Sequence, residues 1–344
     1  MFGTEIIGLV KKVLPFIPVK YLRIFGDCIS DVVVEDSQTD YLVELSIGDV
    51  GFSLWLPAEL HPPSRNIYLT MNRTGDVYEL AMVTCLQSIL DQKLEPVFMD
   101  VGAYAGYYAC YAAAYKTDRS PVYAVESNRE HCQNIRRSIG ENGYKNVTVL
   151  NAVLSDQEES LTVYKESVAD EGHLKGLTDL DRNEAARRQD ILRHGVRHRS
   201  QTLDGLCEQE AISPTVLKID VRGAEGKVLA GGLRILAKCI DYVLLEIHPE
   251  EMLMQYSPGH TRRSIIEALN DAGFNCYLVA GFRTTKRSPE YKRLLGNGEL
   301  SCHLIDMAKY DTLFFDRNAT DVFVLASNRN IDIMSLRCFS DVIT

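Results

Sequence analysis

The feature that most constrains this chain is an alternation that begins at Pro96, where short apolar runs are separated by amphipathic segments of helical period. The runs are Val97-Phe-Met99, Val122-Tyr-Ala-Val125, Val147-Thr-Val-Leu150, Thr215-Val-Leu-Lys-Ile219, Tyr242-Val-Leu-Leu-Glu-Ile247, Asn275-Cys-Tyr-Leu-Val279 and Asp321-Val-Phe-Val-Leu325. Strands this apolar need cover on both faces, so the repeat of strand, helix, strand predicts a mostly parallel sheet between two helical layers. In such sheets ligands bind beyond the carboxyl ends of the strands, near the switch in strand order. Residues just after each strand are therefore the candidates for chemistry.

Composition sets the outer limits. Of 344 residues, 46% are hydrophobic and 24% charged, which excludes a disordered chain and predicts a globular protein with a sizeable core. With 37 basic against 47 acidic residues the net charge is −10, which argues against a general nucleic-acid binder. Nine cysteines, an odd number, occur without any Cys-x-x-Cys pair, so neither a disulfide framework nor a zinc site is indicated. A reducing cytoplasm is the simplest compartment for so many thiols among apolar neighbours.

Ahead of the alternation lies an accessory region, residues 1–77. Ile6, Ile7, Val10, Val13 and Leu14 recur at helical spacing, while Pro15 and Pro18 end the run far short of the roughly 20 residues of a membrane span. That segment is expected to cap the protein's own core or a partner, with peripheral contact to a membrane surface as the alternative. From about Asp31 to Leu56 the pattern alternates around Gly48-Asp49, which predicts antiparallel strands. A Pro-rich stretch at His61-Pro-Pro63 leads to a predicted helix over Tyr78–Leu90. The main domain is expected over 78–330 and a tail over 331–344. Two stretches, Tyr164–Ser200 and Gly281–Thr320, break the alternation and read as insertions over the binding edge. The first holds Arg182, Arg187, Arg188, Arg193, Arg197 and Arg199, so Arg187, Arg188 and Arg193 are candidate contacts for an anionic substrate.

Three motifs at strand ends carry chemistry. Asp100-Val-Gly102-Ala103-Tyr104-Ala-Gly106-Tyr-Tyr follows the first parallel strand and opens a helix. A glycine turn there lets the backbone approach a nucleotide, and Asp100, which would repel a pyrophosphate, suits a cationic ligand such as a sulfonium amino acid. Glu126-Ser127-Asn128 ends the second strand, 24 positions beyond Gly102, where a carboxylate can accept hydrogen bonds from both ribose hydroxyls. After the third strand, Asn151-Ala152 through Asp156 can line the adenine. The last motif is Lys218-Ile-Asp220-Val-Arg222-Gly223-Ala-Glu225, again a carboxylate followed by a glycine turn into a helix.

Together with Thr202-Leu-Asp204 and Leu244-Leu-Glu246-Ile-His248, these motifs resemble the FkbM family of S-adenosylmethionine-dependent methyltransferases, over about Tyr78 to His248. The resemblance implies a Rossmann-like class I methyltransferase fold, α/β with a mostly parallel seven-stranded sheet, and a β-rich accessory region at the N-terminus. It also implies S-adenosylmethionine as cofactor and O-methylation of a sugar, a glycoconjugate or another small-molecule hydroxyl. One departure is visible: Arg222 stands where the family usually has Glu, reversing a charge beside Asp220 and joining Arg187, Arg188 and Arg193 as a candidate substrate contact.

A hydroxyl acceptor needs a base to take its proton as it attacks. Asp220 and His248 are the candidates, both expected at carboxyl ends of central strands. Alternatively Asp220, Glu246 and His248 hold a divalent cation that lowers the hydroxyl's pKa. The basic run of the first insertion points to an anionic or lipid-linked saccharide as acceptor. Two other classes compete: a binding or scaffolding protein that keeps the nucleoside pocket without turnover, and a nicotinamide oxidoreductase, which Asp100 disfavours.

Overall fold

The structure is a computed structural model that describes residues 40–58, 60, 62–75, 77–116, 120–164, 173–175, 196–279, 300–310 and 321–343. The segment Ile6–Leu14 and Arg187, Arg188 and Arg193 lie outside the described residues. Among the described residues no helix is long and apolar enough to cross a membrane.

The chain first forms a hairpin of β1 (Tyr41–Ile47) and β2 (Val50–Leu56), paired antiparallel across the two-residue turn Gly48-Asp49. Its alternate residues Val43, Leu45, Ile47, Phe52, Leu54 and Leu56 are buried. Two helices follow, α1 (Pro62–Thr74) and α2 (Leu80–Gln92). The first was hidden in sequence by Pro62-Pro63; proline is tolerated in the first turn of a helix, where the missing N–H has no intrahelical partner to lose.

The alternating part then runs β3 (Phe98–Val101), α3 (Tyr107–Lys116), β4 (Val122–Glu126), α4 (Arg129–Asn142) and β5 (Val147–Asn151). A small second sheet of β6 (Val153–Leu154), β7 (Ser160–Tyr164), β8 (His173–Lys175) and β9 (Val196–Gln201) comes next. Strands β7 and β9 pair antiparallel and bring the two ends of the Arg-rich stretch together. The chain returns to the main sheet through α5 (Leu203–Gln209), β10 (Val216–Ile219), α6 (Glu225–Ala230), α7 (Leu233–Lys238) and β11 (Tyr242–Ile247). It ends with α8 (Glu250–Tyr256), α9 (Arg262–Asp271), β12 (Phe274–Val279), β13 (Leu300–Leu304), β14 (Val322–Asn328) and β15 (Phe339–Ile343).

The strand order of the main sheet is β15-β13-β12-β14-β11-β10-β3-β4-β5. Strands β5, β4, β3, β10 and β11 are mutually parallel, and β14 runs antiparallel between β11 and β12. The expected seven strands are present, and β13 and β15 extend them to nine. Leu300–Leu304 falls in a stretch that the sequence pattern marks as an insertion, and Phe339–Ile343 in one that it marks as a tail. Both are instead strands that pair at the sheet's far edge. Their runs are short and lie next to a basic stretch and the chain end, so local pattern did not set them apart.

Central strands β3, β10 and β11 are buried at every position, as their unbroken apolar runs require. Alternate residues feed two cores. Phe98, Val122, Val216 and Leu244 face the hairpin, α2 and α3, while Met99, Val125, Leu217 and Leu245 face the other helical layer. From β3 the chain winds outward to β4 and β5, then returns to β10 on the other side of β3. The switch in strand order therefore lies between β3 and β10, and this fixes where a ligand cleft opens.

The hairpin is tied to this body by side chains rather than by another strand. Asn142 Oδ1 accepts from Ser53 N (2.8 Å) and its Nδ2 donates to Ser53 O (2.7 Å), while Ser138 Oγ accepts from Trp55 N (2.8 Å). Asn142→Ala removes two partners from the β2 backbone. It is expected to lower unfolding free energy by about 1–2 kcal/mol, measured as a reduced urea midpoint at constant slope.

Candidate functional site

A cleft of about 320 Å³ opens where the switch in strand order predicts it, at the carboxyl ends of β3, β4 and β10. Its lining includes Gly102, Ala103 and Tyr104 after β3, Glu126 and Ser127 after β4, Ala152 after β5, and Asp220 and Arg222 after β10. The volume lies within the range of small-molecule sites.

The turn after β3 is tightly wound. Gly102, Tyr104 and Gly106 all take positive φ, at 83°, 49° and 81°. The N–H groups of Gly102 and Ala103 donate to Val125 O, which fastens the turn to the end of β4. A Cβ on Gly102 would stand 1.8 Å from the carbonyl oxygen of Asp220. The glycine is thus required by the neighbouring strand end as well as by the left-handed backbone, and it sets Asp220 directly beside the turn. Gly106 does not line the cleft; it lets α3 approach Ile135, whose side chain would lie 3.2 Å from an added Cβ.

Glu126 is 7% exposed, and its carboxylate is gripped by backbone. Oε2 accepts from Tyr104 N and Oε1 from Asn128 N, both at 2.8 Å, and His131 Nδ1 stands 3.6 Å from Oε1. Burial pushes its pKa up, but His131 and the N–H groups of Asn128 and Tyr104 outweigh burial and hold it below the ordinary 4.5. Ser127 Oγ lies 3.4 Å from Oε1 as a third and longer partner. An ionised carboxylate has about four lone-pair sites, and a hydroxyl rotor such as Ser127 can turn aside, so two sites can be taken by ribose hydroxyls. The residues present therefore fit a nucleoside whose ribose lies on Glu126.

Other expected cofactor residues support this socket without lining it. Asn128 caps α4, its Oδ1 accepting from Glu130 N and His131 N. Asn151 Nδ2 donates to the carbonyls of Glu126 and Ser127 (2.9 Å each), pinning the end of β4. Asp156 accepts from Ser155 Oγ and is absent from the lining. Asp100, expected to face a cationic ligand, is fully buried beneath the cleft, where Lys218 Nζ donates to its Oδ1 at 3.1 Å. Its charge is met by the protein's own cation. Burial raises the Asp100 pKa despite Lys218, and Lys218 is held well above its ordinary value because Asp100, Asp220 and Glu79 outweigh its desolvation.

Asp220 lines the cleft with its side chain 27% exposed, Oδ2 lying 3.7 Å from Lys218 Nζ. His248, expected on the binding edge, is instead 3% exposed and not part of the lining. Its Nδ1 lies 2.9 Å from Glu225 Oε1, which also accepts from Gly223 N (2.9 Å) and Val221 N (3.3 Å). The backbone oxygen of His248 accepts from the buried Arg262 Nε at 3.0 Å, so residue and loop are locked. Burial pushes the imidazole pKa down, but Glu225, with Asp220 and Asp321 behind it, more than reverses this, and the net shift is upward. The imidazole lies outside the lining of the cleft, so it is not placed to take a proton from an acceptor there.

Ligand atoms of Asp220, Glu246 and His248 lie within 4.8 Å of one another, a set able to hold a divalent cation. Lys218 Nζ already supplies a positive charge beside Asp220. Arg222, at φ 54°, lines the cleft with an exposed side chain.

Sequence reasoning missed much of the lining, including Lys218, His131, Tyr68, Tyr78, Glu79, Tyr107 and Tyr108. The Tyr107-Tyr108 pair stands inside the glycine motif, and His131 lies three residues beyond the α4 cap. Tyr68 and Glu79 had no strand-end signal because they arrive on α1 and on the link to α2.

Residues 100–276, just over half of the chain, match the family described as Methyltransferase FkbM domain. The chain belongs to the FkbM methyltransferase family. That family's methyl donor is S-adenosylmethionine, and the nucleoside-compatible socket at Glu126 agrees with it as this chain's cofactor. No curated protein matches in sequence. Among solved structures, an FkbM methyltransferase from Methylobacillus flagellatus KT is similar at 14% identity and a TM-score of 0.38, covering 77% of this chain and 53% of that one. A SAM-dependent O-methyltransferase from Thermotoga maritima is similar at 12% identity and a TM-score of 0.37, covering 83% and 77%.

Two outcomes test this geometry. Gly102→Ala is expected to cost about 2–5 kcal/mol, since positive φ and a clash with backbone add; urea denaturation measures it. For His248, a raised folded pKa means its pairing stabilises fully below the ordinary 6.5 and is lost as pH rises through the raised value. The gap in unfolding free energy between wild type and His248→Gln should therefore narrow as pH climbs above that point.

Proposed function

We propose that this methyltransferase is an O-methyltransferase acting on a hydroxyl of a saccharide or other small polyol. The observation that carries the reading is the position of Asp220. Its carbonyl meets the glycine turn at Gly102, and its carboxylate lines the cleft at the topological switch. The ribose assignment to Glu126, and the roles of Gly102, Ala103, Tyr104, Ser127 and Ala152 around the cofactor, belong to the same proposal.

S-adenosylmethionine, when bound, supplies a methyl group already activated by its sulfonium. What remains for the chain is alignment and a proton acceptor. Asp220 takes the hydroxyl proton as the oxygen attacks. Lys218 keeps that carboxylate in place through the buried contact at 3.7 Å. His248, Glu225 and the turn N–H groups hold the loop behind it, so His248 is read as a positioning residue rather than the base.

An anionic acceptor, suggested by the Arg-rich stretch, rests on residues outside those described. Arg222 is the described feature in its favour, and the carboxylates that line the cleft weigh against it.

Glu126→Ala should weaken S-adenosylmethionine binding by about 1–3 kcal/mol in calorimetry, the range for hydrogen bonds to a charged acceptor. Asp220→Asn should retain that affinity and lose turnover, followed as release of S-adenosylhomocysteine with a saccharide panel. Equal loss of binding and rate would place Asp220 in the cofactor shell, and full activity in excess EDTA would favour the base over a metal.

A further inference from the structure

We propose that Tyr78, backed by Tyr68 and Tyr107, forms the surface on which the acceptor ring lies, and that Glu79 sets the charge it accepts: an uncharged or cationic hydroxylated ring, with anionic rings disfavoured. The inference rests on the methyltransferase reading above and names the substrate class of the same cleft.

Three tyrosines line one part of the cleft and pack on one another; Tyr78 is half-buried and faces the cleft, while Tyr68 and Tyr107, 6% and 2% exposed, support it from the core side. Ring centroids are 5.8 Å apart for Tyr68 and Tyr107, 6.2 Å for Tyr78 and Tyr107, and 6.4 Å for Tyr68 and Tyr78. They come from α1, the α1–α2 link and the first turn of α3, whereas Glu126, Ser127 and Ala152 come from strand ends. Packed in this way, the rings are held in place. A fixed aromatic wall suits the C–H face of a sugar, which is apolar while its rim carries hydroxyls.

That wall carries one carboxylate, Glu79, and its conformation is unusual. Glu79 sits at the N-cap of α2 in the left-handed region (φ 49°, ψ 48°), yet makes no side-chain capping bond to its own helix. It is 6% exposed and lines the cleft, where its Oε2 accepts from Tyr108 OH at 2.6 Å. Burial and the Glu79 charge push the Tyr108 phenol well above 10, so it stays a donor. A strained backbone that turns a carboxylate away from its helix and into a cleft is the pattern of a functional site.

Electrostatics then sets the preference. Lys218 Nζ lies 4.8 Å from the centre of the Tyr108 ring, but it is committed to Asp100 at 3.1 Å and to Asp220 at 3.7 Å. Arg222 also lines the cleft, but its side chain is exposed on the β10 turn, where solvent screens it. An anionic ring on the tyrosine wall meets Glu79, which is buried, and Asp220 in a partly desolvated cleft, where like charges repel strongly. A hydroxyl or ammonium meets a hydrogen-bond acceptor instead.

The test is equilibrium binding to the full chain saturated with S-adenosylhomocysteine, at neutral pH, of three probes that differ only at C6. They are methyl α-D-glucopyranoside, methyl 6-amino-6-deoxy-α-D-glucopyranoside and methyl α-D-glucuronopyranoside. The aminosugar is expected to bind at least about tenfold more tightly than the glucuronide, with the neutral sugar between. Glu79→Gln should bring that ratio to within about threefold at unchanged S-adenosylhomocysteine affinity, and Glu79→Asp should keep the preference. The wild-type ratio needs no variant. The proposal is overturned if the glucuronide binds as tightly as the aminosugar, if no probe binds the loaded protein, or if Glu79→Gln leaves the ratio intact. Failure of S-adenosylhomocysteine itself to bind would strike the methyltransferase reading first, so the two failures are told apart.

Discussion

The floor of the cleft depends on one buried ion pair. Lys218 on β10 lies directly across from Asp100 on β3 in the parallel register, both side chains being almost wholly buried. These strands flank the topological switch, so the pair joins the two halves of the sheet where the ligand cleft opens. A buried charge left without its partner costs several kcal/mol, so neither residue can change alone. Lys218 also reaches Asp220 and lies over the Tyr108 ring, and through Tyr108 it is linked to Glu79. One cation thus organises the carboxylate beside the glycine turn and the carboxylate on the aromatic wall.

Two turns complete the floor, and both store unfavourable backbone. The β3–α3 turn has positive φ at Gly102, Tyr104 and Gly106, and the β10–α6 turn has it at Arg222 and Gly223. Each is held by a glutamate: Glu126 accepts from Tyr104 N of the first and ties it to Asn128 N after β4, and Glu225 accepts from Val221 N and Gly223 N of the second. The two acids are nonetheless used differently. Glu126 sits on the cleft with lone pairs to spare, while Glu225 is fully buried and occupied by His248.

What could be read from sequence follows from these constraints. The strands were legible because buried parallel strands need unbroken apolar runs, and Gly102, Glu126 and Asp220 were legible because a strand's carboxyl end is a topological position. Sequence locates a residue at a strand end without saying which way its side chain turns. For that reason Asn128, Asn151 and His248 were expected at the ligand and are found holding backbone or partner residues instead. The aromatic wall was illegible for another reason. Tyr68 and Glu79 reach the cleft only through the packing of α1 and α2, and that packing leaves no local motif. Asp100 was read as a site for a cationic ligand because its partner, Lys218, is 118 residues away in sequence.

The central claim is that S-adenosylmethionine occupies the β3–β10 switch with its ribose on Glu126. A crystal structure of the full chain soaked with S-adenosylhomocysteine tests it most directly. The account predicts density in the cleft, with both ribose hydroxyls donating to the Glu126 carboxylate, the amino-acid portion running past Gly102, and the Asp220 carboxylate facing the space beside the sulfur where the acceptor enters. Density for the nucleoside elsewhere, or an empty cleft with Glu126 contacting only the protein's own groups, would contradict it.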